Sequence, residues 1–255
     1  MLLAIDIGNT LIKIGAYKGD KLEFVHRIKT NAEDTSEFYI SELNRILLEH
    51  GYSIKDVSGV AISSVAPICG NNMTAATKKV FNVEPVVISP DLDLGIGIKL
   101  DNPKKVGMDL IIGAVAAKGL YKLPAIIFDF GTATTAGVID KHANFLGGAL
   151  LPGIETSANI LFANTALLPS IVVDVPEKAI GSDTITAINS GIVFGAVAFV
   201  DEMSERIEEE LGEKATIILT GGLAHKVYGH TKRNVVICDN LNLEGLRIVY
   251  ERNNI

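Results

Sequence analysis

Two short stretches of the chain place an acidic residue and a glycine at the end of an apolar run. The first is LLAIDIGNT, Leu2 to Thr10, and the second is AIIFDFGTATT, Ala125 to Thr135. In each, a strand-like run ends near an aspartate, Asp6 or Asp129, and Gly8 or Gly131 follows with one residue between. A glycine there serves a turn that needs φ > 0, or lets a ligand approach the backbone closely. Beyond it, backbone N–H groups and the short side chains of Asn9, Thr10, Thr132, Thr134 and Thr135 can face an anion. A carboxylate at a strand tip suits a hydrated Mg2+, which binds through one or two carboxylates and keeps its waters. A single D-x-G is most often an ordinary β-turn. Two copies on matching strands predict more, namely two turns facing each other as a clamp for a metal–polyphosphate.

A third turn has related character. Ile217-Ile218-Leu219-Thr220-Gly221-Gly222 is a strand running into a Gly-Gly turn, where a flat ring or a phosphate could lie against bare backbone. By itself this pattern is common. The histidines (His26, His50, His142, His225 and His230) show no metal-ligand spacing and read as surface or turn residues.

The elements that must hold these turns follow from periodicity. Leu2–Ile7, Leu11–Tyr17 and Leu22–Ile28 read as strands, with Gly19-Asp20 turning between the last two. Thr35 or Ser36 caps a helix whose apolar face is Ile40, Leu43, Ile46 and Leu47, and Gly51 ends it. Val57–Ser63 and Val86–Ser89 read as strands, and Asn71–Phe81 as a helix. Pro90 to Pro103 is a loop leading to a helix over Val106–Leu120, with Asp109 in or near its first turn. The pattern then restarts: strands at Ala125–Phe128, Ala136–Ile139 and Asn144–Leu150, then helices over Ile154–Thr165 and Thr184–Leu211. Strands at Thr216–Leu219 and Val235–Cys238 and a helix over Leu243–Arg252 complete it. Strands alternating with helices after an initial meander indicate an α/β architecture, here in two similar halves.

Composition narrows the class. The chain has 255 residues, is 48% hydrophobic and carries a net charge of −7. Such a charge argues against a nucleic-acid partner. Cys69 and Cys238 are the only cysteines, far apart, which suggests neither a zinc site nor a disulfide and fits a reducing cytoplasm. The N-terminus shows no basic leader pattern. No apolar run reads as a membrane span. The most apolar helix, around Ile185 to Val200, is interrupted by Asn189 and Ser190 and is expected to be a core helix.

Together the three turns resemble the actin-like ATPase family, which includes sugar kinases and acetate kinase. Within it, DIGNT (6–10), SSVAP (63–67), NPKKVGMD (102–109), DFGTATT (129–135), FLGGALLPG (145–153), IGSDT (180–184) and LTGG (219–222) resemble the bacterial type III pantothenate kinases, in that order along the chain. The resemblance implies two ribonuclease H-like domains, over residues 1–115 and 116–255, with mixed sheets flanked by helices and a nucleotide cleft between them. It leaves the last helix able to pack back on the first domain. It implies ATP-dependent phosphorylation of the primary hydroxyl of pantothenate, the first step of coenzyme A synthesis, by a cytoplasmic homodimer. The cofactors implied are Mg2+ or another divalent ion, and K+ or NH4+. The alternatives weighed against it are a nucleotide-binding regulatory protein, an inactive kinase homologue, or another phosphotransferase or phosphohydrolase of the superfamily.

The roles expected from the resemblance are specific. Asp6 anchors the hydrated divalent ion, and Asp129 is the second carboxylate. Gly8, Asn9, Thr10, Lys13, Gly131, Thr132 and Thr134 serve the phosphates, and Gly221 and Gly222 the adenosine. Asp109 matches the aspartate of the family's G-x-D-R motif and takes the hydroxyl proton, kept ionised by the helix N-terminus. Gly107, Met108 and Thr184 lie at the pantothenate side. Three positions depart from the family pattern: Leu110 stands where the family has arginine, Gly137 where an acidic residue is usual, and Asp183 where asparagine is common. Lys104 and Lys105 are the nearest basic residues to the missing guanidinium.

Overall fold

A computed structural model describes residues 1–163 and 172–253. The chain divides into two units. One comprises Met1–Gly97, Asp101–Gly119 and Leu241–Ile255, and the other Ile98–Leu100 and Leu120–Asn240.

The first unit is built on a sheet of β1 (Leu2–Ile7), β2 (Leu11–Lys18), β3 (Lys21–Lys29), β4 (Gly59–Ser64) and β5 (Val86–Val87). Its strand order is β3-β2-β1-β4-β5. The first three strands run antiparallel, and β4 joins β1 in parallel on the other side. The meander follows from the tight turn at Gly19, whose φ of +61° suits a residue without a Cβ. The parallel step instead needs a crossover, supplied by α1 (Ser36–Glu49). Thr35 caps α1, its hydroxyl accepting from the Phe38 N–H at 3.3 Å. The buried face of α1 is Tyr39, Leu43, Ile46 and Leu47. Tyr39 therefore belongs to the stripe expected from the sequence, and Ile40 is only half-buried. With α2 (Pro67–Phe81), α1 covers one face of the sheet over Leu3, Ile5, Ile7, Ile12 and Ile14. α3 (Met108–Leu120) and α6 (Leu241–Asn253) complete the unit.

The second unit repeats the order. β7 (Ala125–Phe130), β8 (Ala133–Ile139), β9 (Asn144–Pro152), β10 (Thr216–Thr220) and β11 (Val235–Ile237) are arranged β11-β10-β7-β8-β9. A short extra strand, β6 (Gly97–Ile98), adds to the β9 edge inside what the sequence reads as a plain loop. β7 pairs antiparallel with β8 and parallel with β10, as β1 does with β2 and β4. Ile126, Phe128 and Phe130 face a core shared with α4 (Ile154–Ala163) and α5 (Thr184–Leu211). The sequence-based helix from Ile154 extends to Thr165, and its last two positions lie outside the described residues.

α5 corrects one expectation. It is long and apolar enough by length and composition to cross a membrane, with a mean hydropathy of 1.5 over its most apolar window. Only 28% of that window is buried: Val193, Val197 and Val200 enter the core, and the rest of the apolar surface of α5 is left uncovered in the single chain. Its polar interruptions face inward: Asn189 accepts from the Asp174 N–H at 3.3 Å, and the Ser190 hydroxyl donates to the Ala179 carbonyl. They hold the segment before α5 by satisfying its backbone, which is why polar residues are tolerated there.

Candidate active site

Strand alternation decides where Asp6 points. Leu3, Ile5 and Ile7 enter the core under α1 and α2, so Leu2, Ala4 and Asp6 occupy the opposite face. On the ladder, Asp6 stands opposite Lys13 of β2 and Ser63 of β4. Ser63 is 0% exposed, and its hydroxyl has no hydrogen-bond partner among the described residues. The Asn242 amide of α6 donates to Asp6 Oδ2 at 3.2 Å. After β1, Gly8, Asn9 and Thr10 form the turn, closed by the Gly8 N–H donating to the Leu11 carbonyl at 3.0 Å. Thr30 braces it from β3's end, its hydroxyl donating to the Gly8 carbonyl at 2.8 Å and its N–H to the Thr10 carbonyl at 3.0 Å. Asn9 and Thr10 are exposed, and Lys13 is half-buried.

Asp109 lies in the first turn of α3. Its carboxylate folds back over Gly107, where a Cβ would come within 2.3 Å of Oδ1. That explains the glycine: any side chain there would displace the carboxylate. Burial raises the Asp109 pKa above the ordinary value, outweighing the backbone N–H groups of Leu110 and Asp109 that lower it. The expectation that the helix N-terminus would dominate is therefore corrected. Desolvation wins, and the carboxylate is a stronger base than a surface aspartate. Leu110 occupies the next position, half-buried, its N–H donating to the Gly107 carbonyl at 3.2 Å.

In the second unit Asp129 stands opposite Thr135 and Thr220 on the ladder. The Thr135 hydroxyl is buried without a hydrogen-bond partner among the described residues. Thr134 pairs instead with Phe130 and is 3% exposed, so it lies on the core face and not beside Asp129. The turn itself is Gly131 and Thr132, with the Gly131 N–H donating to the Ala133 carbonyl at 3.1 Å. It rests on the start of α4: the Thr132 carbonyl accepts from the Gly153 N–H at 3.0 Å and from the Thr156 hydroxyl at 2.7 Å. A Cβ at Gly153 would meet the Gly131 carbonyl at 2.2 Å, so only glycine lets the two turns stack.

The Gly-Gly turn joins the same place. Gly221 has a φ of +94°, and a Cβ there would stand 2.4 Å from Asp129 Oδ1. The Leu223 N–H donates to the Phe130 carbonyl at 3.2 Å, tying this turn to the D-x-G turn. At Gly222 a Cβ would meet nothing within 4 Å, so that backbone is open. The second unit therefore gathers Asp129, Gly131, Thr132 and Gly221. The first gathers Asp6 and Lys13 and carries Gly107, Met108 and Asp109 at the head of α3.

Of the two reasons expected for the glycines, a positive φ and a close approach to the backbone, the first holds at one turn only. Positive φ is found at Gly221 but at neither Gly8 nor Gly131. A Cβ at Gly131 would make only ordinary contacts, the nearest at 3.6 Å, so the fold leaves that position open to a larger group. Two departures from the family pattern have local explanations. Asp183 caps α5, accepting from the Thr186 N–H at 2.9 Å, and this lowers its pKa. Aspartate and asparagine cap equally well, so the change is neutral to the helix. Thr184, the first residue of α5, is exposed. At Gly137 a Cβ would stand 3.2 Å from the buried Phe145 ring, so the aromatic fills the space an acidic side chain would need.

Sequence reading missed Thr30, Ser63, Gly153 and Asn242 as neighbours of these turns, and named Thr135 without telling it from Thr134. Ladder register supplies Ser63 and Thr135, and could have been read once the strand pairing was assumed. Nothing local signals Asn242, since it lies 236 residues from its partner.

The sequence model of the type III pantothenate kinase family matches residues 2–206. The Gly-Gly turn and α6 fall outside that match. Among solved structures, a protein described as a conserved Baf family transcriptional activator from Campylobacter jejuni is similar with a TM-score of 0.64. The identity is 16%, covering 98% of each chain. Component A of the (R)-2-hydroxyglutaryl-CoA dehydratase of Acidaminococcus fermentans is similar at 0.56 and 14% identity, covering 96% of this chain and 94% of that one. The activator of the 2-hydroxyisocaproyl-CoA dehydratase from Clostridium difficile, with bound ADPNP, is similar at 0.53 and 13% identity, covering 98% and 93%. At these identities the likenesses establish a shared fold and say nothing of chemistry.

Proposed function

The chain belongs to the type III pantothenate kinase family, whose members use ATP to phosphorylate pantothenate in coenzyme A biosynthesis, and from that premise we propose how its residues divide the work. Asp109 is the catalytic base. The observation that carries this is its half-buried carboxylate, folded over Gly107 at the head of α3 with its pKa raised by desolvation. The attacking hydroxyl oxygen bonds to the γ-phosphorus, the bond from that phosphorus to the β-phosphate oxygen breaks, and ADP departs. The hydroxyl proton passes to Asp109. A loose transition state asks little of the base until late, and a raised pKa improves its grip on the proton.

Asp6 and Asp129 are the carboxylates for a divalent ion. Among the described residues no three or more His, Cys, Asp or Glu side chains converge as a metal site. Single carboxylates beside buried, unpartnered hydroxyls at Ser63 and Thr135 fit a hydrated Mg2+ completed by water and phosphate oxygens. When bound, the ion neutralises charge on the phosphates. Asn9, Thr10, Lys13, Gly131 and Thr132 position those phosphates, and Thr134 supports the turn from its core side. Gly221 and the open backbone at Gly222 receive the adenosine. Gly107, Met108 and Thr184 contact pantothenate. K+ or NH4+ as monovalent activator and a cytoplasmic setting rest on family membership.

A homodimer is also part of the reading. Leu150 and Leu151 of β9 are 67% and 41% exposed, and α5, with Ile185 46% exposed, is largely uncovered. A second copy would shelter this apolar surface.

A coupled ADP-release assay with Mg2+ and K+ tests the reaction, and turnover should require pantothenate. ATP binding without turnover, or phosphate release without pantothenate, would defeat it. Leu110→Arg sharpens the test. A guanidinium can grip the pantothenate carboxylate, so the variant should lower the pantothenate KM about tenfold and leave that for ATP unchanged. An unchanged pantothenate KM would show that Leu110 is not what limits substrate binding.

A further inference from the structure

α6 lies on the Asp6 face of the first sheet, and its seat is made by missing side chains. A Cβ at Gly15 would come within 2.9 Å of Leu243 Cδ1, and one at Gly59 within 1.9 Å of the Tyr250 hydroxyl. At Gly245 a Cβ would meet the Ile112 carbonyl at 2.1 Å, so α6 also crosses α3 at backbone distance. Tyr17 adds a polar tie, its hydroxyl donating to Glu244 at 3.0 Å. This close seating brings Asn242, in the first turn of α6, to Asp6. Asn242 Nδ2 donates to Asp6 Oδ2 at 3.2 Å, and a Cβ at Gly113 of α3 would stand 3.3 Å from Asn242 Oδ1.

We propose that Asn242 is a positioning residue for the divalent-ion anchor. The inference rests on the reading of Asp6 as that anchor. A carboxylate that must hold a hydrated ion has to present a defined edge while keeping its full negative charge. An amide meets both needs. It donates a hydrogen bond that fixes the carboxylate plane, yet it is neutral and does not compete with the cation. α6 keeps the amide in place, wedged between β1 and α3. The same helix thus links the ion-binding strand to the helix that carries Asp109.

Mn2+, followed by the electron paramagnetic resonance signal of the unbound ion in the presence of ADP, is the probe. Asn242→Ala should weaken Mn2+ binding about tenfold, the low end for loss of an outer-shell partner. Asn242→Leu, close in volume and without a donor, should do the same and serves if the alanine variant folds poorly. In an Asp6→Asn background the Asn242→Ala effect should vanish, because the two act as one unit. If Asp6→Asn weakens Mn2+ binding and Asn242→Ala does not, the inference is overturned while the Asp6 assignment stands. If the Asn242→Ala loss persists undiminished in the Asp6→Asn background, Asn242 acts elsewhere and the inference is also overturned. If Asp6→Asn itself leaves Mn2+ binding intact, both fall.

Discussion

The two units share a strand order and a D-x-G turn, yet they equip their aspartates differently. Asp6 has a lysine and a serine as ladder neighbours and an asparagine amide held against it by a helix. Asp129 has two threonines as ladder neighbours, with Gly131 beside it and Gly221 pressed close to its carboxylate. The first turn has Thr10 as an extra residue before β2, whereas β8 begins directly after Thr132. One unit surrounds its carboxylate with side chains that can orient charge. The other surrounds it with bare backbone that a phosphate or a ring can approach. The same topology thus hosts different parts of a reaction, because topology fixes the strand tip and the neighbours fix the chemistry. Asp109 also belongs to the first unit. On this comparison, variants in the first unit should strike turnover and those in the second should strike nucleotide binding.

The largest expected effect is at Asp109. Asp109→Asn should lower kcat by roughly 10^3-fold, within the usual span for a general base, while ADP affinity measured by calorimetry stays within about twofold. A variant with near wild-type kcat would remove Asp109 from the mechanism. The acid limb of the wild-type kcat profile should sit above the ordinary aspartate value, since the Asp109 pKa is raised by burial. The stability sign is opposite to that for activity. A raised folded-state pKa means that protonated Asp109 favours the fold, and the burial cost of the charge appears as pH rises through that pKa. Asp109→Asn should therefore melt higher than wild type at neutral pH, with the gap closing in acid. A lower neutral-pH melting temperature would contradict the burial argument.

Next comes the pair at the Gly-Gly turn. Gly221→Ala should destabilise the protein by about 2 kcal/mol, because it combines an unfavourable φ with a clash at Asp129. It should also weaken ADP binding about tenfold or more. Gly222→Ala has room for its methyl group, so it should leave the melting temperature unchanged and reduce ADP affinity alone. If the ADP loss at Gly222 is absent, or if pantothenate KM moves in its place, the division of labour is wrong.

The smallest effects compare the two turns directly. A Cβ at Gly8 would stand 3.0 Å from the Leu11 carbonyl, and one at Gly131 would meet nothing nearer than 3.6 Å. Gly8→Ala should cost about 1 kcal/mol of stability, and Gly131→Ala less than about 0.5 kcal/mol. Chemical denaturation of both variants would show the order, and its reversal would mean that the turns are constrained alike.

Much of this was legible in the residues. The apolar runs ending at Asp6 and Asp129 became β1 and β7, since both are buried on two faces and have few polar interruptions. The caps at Thr35 and the turn at Gly19 were equally local. The short β6 was not, because two residues carry no period and gain strand character only from the β9 edge. Nor was the face of Thr134, which depends on one step of register. A reading of the three threonines that follow Gly131 could not tell which would stand beside Asp129.

The sequence by itself determined the family, the two strand–turn units and the three aspartates, because those depend on residue type at short spacing. The tertiary structure alone decided the rest. It buried Asp109 enough to raise its pKa, set Gly221 against Asp129 and brought Asn242 to Asp6. Each of these is a distance or a degree of solvation between residues remote in the chain, or between a side chain and its packed surroundings. Such quantities exist only once the helices have seated.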